Sequence, residues 1–216
     1  MNELYKILIA AAVGFALSPI TEIIKKSIET KQSRKKLIGK LDQALTTVNQ
    51  AISTLNDTAL KRSLYLNQRS LEVGIFILPY LRFPKIEDEY DKCYQELTKD
   101  EKDCISVAVH GIDHLIKLTE KIERHEVDLK NAQEGKTYKN ELEIKMEMDS
   151  YYKRILSCEK AMIYTLISIR QNLKCALINQ PNLKTDKEAF SSTAHELGIR
   201  FNLQWWPQLG LKNKTD

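Results

Sequence analysis

Apolar side chains recur at alternating steps of three and four through Ile38, Leu41, Leu45, Val48, Ile52, Leu55 and Ala59, a seam three heptads long. Leu37, Ala44 and Ala51 flank it on one side and Asp42, Asn49 and Asn56 on the other. The stripe is therefore wider than a two-stranded seam and predicts a helix packed in a three- or four-helix bundle. The same helix continues through Leu60, Leu64 and Leu71 and stops between Pro79 and Pro84.

A short helix over Glu87 to Leu97 follows, and Thr98 with Glu101 three residues on forms a capping box that opens a helix to about Gln133, stopped by Gly135. The next helix covers Tyr138 to Asn179 and ends before Pro181. Its seam is Met148, Tyr152, Ile155, Glu159, Met162, Leu166, Ile169, Leu173 and Ala176. Glu159 is costly among apolar neighbours unless a Lys or Arg of another helix meets it, so a structural ion pair is expected there. A second capping box, Thr185 with Glu188, opens a short helix ended by Gly198.

Short connections predict an up-down-up order for the three long helices, with the polar stretches Leu118 to Gln133 and Lys136 to Ser150 beside the first seam as a coiled-coil stalk. The apolar stretches Val73 to Leu81, Ile105 to Leu118 and Ala161 to Ile178 then gather in a distal head. From Ile199 to Trp205 apolar and polar residues alternate, which predicts a short extended tail. Phe201, Trp205 and Trp206 are its partner-binding residues in one reading and fillers of a groove on the chain's own head in the other.

Before the first seam lie fifteen residues without a charge, Ile7 to Thr21. Extended to Leu4 and Ile24 the stretch has 21 residues, about 31 Å of helix against a hydrocarbon core of about 30 Å, with Lys6 near the headgroups. Lys25, Lys26, Lys31, Arg34, Lys35 and Lys36 follow it as a membrane-proximal basic flank, which predicts a single-pass protein with its N-terminus outside and its C-terminal domain cytoplasmic. Ala10, Gly14 and Ser18 line one face at four-residue steps, an oligomerisation face of the kind that lets helices approach closely in lipid. Pro19 is expected to bend the helix. Three regions result: an anchor with its flank over 1–32, an all-α elongated bundle over 33–198 and a tail over 199–216.

Composition sharpens this picture. The 216 residues are 43% hydrophobic and 29% charged, with seven glycines and five prolines, which suits ordered long helices. Residues 1–40 hold eight Lys and Arg against three Asp and Glu, and the rest of the chain holds 25 against 26, so the whole basic excess sits beside the apolar segment. That placement fits an anionic membrane surface and not a nucleic acid, whose binders spread charge over a folded face. Cys93, Cys104, Cys158 and Cys175 lie far apart among helical core positions, so they are expected to be reduced fillers.

Nucleotide-binding and hydrolase glycine motifs are absent, and no cofactor or catalytic residue is expected. His110 and His114 are one turn apart and share a face, but spacing specifies no third metal ligand. The expected function is a membrane-anchored, self-associating adaptor or assembly subunit that presents a cytoplasmic head to another protein. The alternative is a membrane-perturbing or pore-forming effector assembled through the N-terminal helix.

Overall fold

The computed structural model describes residues 3–68, 76, 78–79, 81–134, 140–178 and 184–209, with side chains from Pro19 onward in the first helix. Five α-helices occur among them: α1 (Glu3–Gln68), α2 (Glu87–Cys93), α3 (Lys99–Glu134), α4 (Glu141–Ile178) and α5 (Asp186–Leu197). The described residues contain no strand.

Helix ends follow local chemistry. The Thr98 hydroxyl accepts from the Glu101 N–H at 3.2 Å while Glu101 accepts from the Thr98 N–H at 2.7 Å, closing the box that starts α3. A third box places the start of α4 three residues later than expected, at Glu141: Asn140 accepts from the Glu143 N–H at 2.9 Å and Glu143 from the Asn140 N–H at 3.3 Å. Thr185 and Glu188 cap α5, and Gly198 ends it in the left-handed region at φ 64°.

Helix directions differ from the up-down-up expectation. Arg62 meets Glu159 and Asn49 meets Arg170, so α1 and α4 are antiparallel. Gly111 faces Ile169 and Cys104 faces Cys175, so α3 and α4 are antiparallel too. Arg34 reaches Glu101 while Arg62 acts on Glu126, which makes α1 and α3 parallel and the order up-up-down. The reason lies in the connection after α1. Tyr65 near the end of α1 stacks on Tyr152, but α2 begins at the opposite end, where Lys40 pairs with Glu89. The 18 residues between α1 and α2 reach roughly 60 Å when extended, enough for a return of about 42 Å along α1.

This order also moves the head. The apolar halves of α3 and α4 join α1 over Leu37 to Ala59, the end of the bundle nearest the N-terminus. The polar halves of α3 and α4 form the far end, so the distal head and proximal stalk exchange places.

The seam of α1 is buried at Leu41, Val48, Ile52, Leu55 and Ala59, with Leu45 half-buried and Ile38 48% exposed, and the flanking Leu37, Ala44 and Ala51 are buried with it. The small Ala44 and Ala51 let the neighbouring helices approach on that side of the wide stripe. On α4, Ile155, Glu159, Met162, Leu166, Ile169, Leu173 and Ala176 are all buried, as the three-four spacing predicts.

At one crossing of α3 and α4 the approach needs a glycine. A Cβ on Gly111 would lie 2.6 Å from Cγ1 and 3.0 Å from Cδ1 of Ile169, itself 1% exposed. Gly111→Ala is expected to lower stability by about 1–2 kcal/mol, since overpacking outweighs the helix propensity gained. Urea melts check this, and a variant as stable as the parent would show that the two helices separate freely.

Candidate functional site

The candidate site is the arm of α1 that precedes the bundle. Pro19 to Glu29 are exposed throughout, and the chain remains helical through Pro19. Among the described side chains of α1, the first that is fully buried is Leu37. Ile20, Ile24 and Ile28, one turn apart, are 52%, 54% and 51% exposed, and Ile23 beside them is 68% exposed. Lys25 and Lys26 project from the other side of the same turns, because 100° per residue sets them apart from the isoleucines.

The six residues of the basic flank do not act alike. Lys25, Lys26, Lys31, Lys35 and Lys36 are exposed. Arg34 instead turns to the bundle, donating through Nη2 to Glu101 at 2.8 Å and through Nη1 to the Glu96 carbonyl at 3.0 Å. It fixes the arm to the start of α3, and Lys40 adds a second tie through Glu89, whose carboxyl it holds below the usual range.

The side chains of residues 3–18 lie outside the described residues, and with them Ala10, Gly14, Ser18 and most of the expected anchor. Among the described residues no helix is long and apolar enough to cross a membrane.

The tail is not extended. Leu203–Trp205 and Pro207–Leu209 are 3-10 turns. Phe201 and Trp206 are 8% and 4% exposed and surround Phe190 of α5, with ring centroids 5.3 and 4.9 Å from it. Asn56 of α1 donates to the Arg200 carbonyl at 3.1 Å. Phe201, Trp206 and Leu209 are buried at steps of five and three that alternation does not predict, and burial removes the first two from an outer partner surface. Trp205 is half-buried, with the Lys160 ammonium 5.0 Å from its ring centroid.

His110 and His114 are exposed on the outer face of α3. The His110 Nδ1 lies 2.7 Å from the Ser106 carbonyl and is thereby the donor nitrogen of that ring. No group of three or more His, Cys, Asp or Glu residues is placed to hold a metal ion among the described residues.

The cysteines are unbridged; three are buried and Cys175 is half-buried. Burial, helped by the adjacent Cys175, pushes the Cys104 thiol up to about 11, which keeps it protonated and unreactive.

Sequence reasoning anticipated a cation for Glu159 without naming it. Arg62 supplies it, donating from Nε to both carboxylate oxygens at 3.1 and 3.0 Å and from Nη2 at 2.9 Å. A signal was present: Arg62 is the next three-step after Ala59 in the first seam, a cation in one stripe answering an anion in the other. Arg170, 4% exposed, was missed as well; it follows Ile169 on α4 and carried no such spacing signal.

No protein-family model, curated protein or solved structure matches the chain.

Proposed function

We propose that this chain is a membrane-anchored, self-associating interaction protein, an adaptor or assembly subunit held at a cytoplasmic membrane face by α1. The observation that carries the reading is the free arm, with exposed isoleucines on one side and five exposed lysines close to the uncharged stretch. With residues 4–24 in the bilayer, Lys25 and Lys26 sit at the headgroups. Each lysine near an anionic leaflet contributes about 1 kcal/mol, so the flank supports both attachment and orientation. The ten helical steps from Lys26 to Lys36 then raise the bundle about 15 Å above the surface.

Self-association uses two stretches of the same helix in this reading: the Ala10, Gly14 and Ser18 face inside lipid, and Ile20 and Ile24 at its cytoplasmic edge with Ile28 one turn beyond. The polar far end, where Val127, Leu142 and Met146 are 58%, 68% and 66% exposed, is the surface held out to another protein.

Membrane fractionation followed by size analysis in detergent tests this reading. The full chain is expected in the membrane fraction as an oligomer. Replacing Ile20, Ile24 and Ile28 together by Ser is expected to shift it towards monomer without releasing it from the membrane. A chain that runs as a soluble monomer without detergent would end the proposal.

A further inference from the structure

A cleft between α4 and α5, with a volume of about 270 Å³, is lined by three cations, Arg170, Lys174 and Lys184, and by one carboxylate, Glu196. Cys175, Ile178 and Ala189 form its apolar part. Arg170 is buried and fixed: its Nε donates to Asn49 at 2.7 Å, its Nη1 to Thr193 at 3.2 Å and its Nη2 to Glu196 at 2.6 Å. The Lys174 ammonium donates to the same Oε2 of Glu196 at 2.5 Å. One oxygen position is thus held between a guanidinium and an ammonium, an arrangement suited to a carboxylate or phosphate oxygen.

Two features set this apart from a self-contained ion pair. The cations lining the cleft exceed the anions by two, and the Lys184 ammonium, which feels the charge of Glu188, makes no salt bridge among the described residues. Glu196 also stands in the last turn of α5, where the helix dipole disfavours an anion. Its side chain is 37% exposed, so it can turn out to water. The Lys174 ammonium, with Arg170, nevertheless holds it at a pKa of about 2, so it leaves as a carboxylate and only another anion replaces it.

We propose that this cleft binds a small organic anion, whose carboxylate or phosphate group takes the place of the Glu196 Oε2 between Arg170 and Lys174, with Lys184 adding charge and Ile178 and Ala189 covering the apolar body. The volume of about 270 Å³ lies just below the roughly 300–1,000 Å³ of sites for drug-sized ligands, so the ligand is small. Glu196 is the internal competitor. This site is independent of the arm, and its test does not depend on membrane attachment.

The full chain, in detergent, is titrated calorimetrically with benzoate, phenyl phosphate and inorganic phosphate at constant ionic strength, with sodium chloride as control. Saturable binding of benzoate or phenyl phosphate is expected, and the preference between them assigns the site to carboxylates or to phosphate monoesters. Glu196→Gln, which keeps a hydrogen-bond acceptor and removes the competing charge, is expected to tighten binding about tenfold. Lys174→Met with Lys184→Met is expected to weaken it at least about tenfold while circular dichroism stays that of the parent. No saturable heat up to about 10 mM with either aromatic anion, in both the parent and Glu196→Gln, would overturn the proposal, as would binding of inorganic phosphate alone. Binding unchanged in the double lysine variant would overturn its location.

Discussion

Replacing Glu159 with Gln, or Arg62 with Met, is expected to cost about 3–5 kcal/mol of folding stability, because each change leaves one charge of a buried pair without its partner. Arg62 and Glu159 side chains are 2% and 0% exposed, so either charge left alone is a buried charge. The guanidinium also lies 4.1 Å from the Phe76 ring centroid and 5.6 Å from that of Tyr152, so it ties the return of the chain after α1 to α4. Burial pushes the Glu159 carboxyl up, against the pull of Arg62, and the nearby Glu126 adds to the rise. The attraction therefore only offsets desolvation, and Arg62→Met combined with Glu159→Leu is expected to recover most of the loss. Chemical denaturation of Arg62→Met, Glu159→Leu and the two combined forms the cycle that measures this. Single variants that lose less than about 1 kcal/mol would mean that the pair opens to water.

Removing the tail after Gly198 is expected to destabilise the fold by at least about 3–5 kcal/mol, the range for deleting one large buried aromatic, since it takes out Phe201, Trp206 and Leu209 together. Trp206→Ala alone approaches the lower end of that range. The face of α5 built from Phe190 and Ala189 would lose its cover, so amide exchange should rise first in α5. A tail reserved for a partner would behave differently: truncation would leave the melting transition unchanged and abolish a complex. An unchanged melt after truncation would return Phe201 and Trp206 to the outer surface.

Local signals in this chain were read with little loss. The boxes at Thr98 and Thr185 were legible because the groups that satisfy each other lie three residues apart, within a single turn. Asn140 obeys the same rule with an amide in place of a hydroxyl, its partner Glu143 again three residues on. The seams of α1 and α4 were legible because one face of each helix is enclosed along the bundle; Ile38 alone falls outside, where the buried Leu37 takes the inward side. Arg34 was grouped with five lysines that it adjoins in sequence, yet its partner is 67 residues away.

The amino-acid sequence by itself determined where α3 and α5 begin, that one face of α4 is buried, that Glu159 must meet a cation, and that the basic excess adjoins the first apolar stretch. These follow from capping, periodicity and charge cost, which act within a turn or are paid wherever the residue is buried. The tertiary structure alone decided the up-up-down order, the position of the thick end next to the arm, the enclosure of Phe201 and Trp206, and the meeting of Arg170, Lys174 and Glu196. An apolar stripe reads the same in both directions, so direction comes from contacts such as Arg34 with Glu101 and Lys40 with Glu89, made between residues far apart in sequence. Closing an 18-residue connection costs little more than closing a short one, and packing, not loop length, therefore chose the topology.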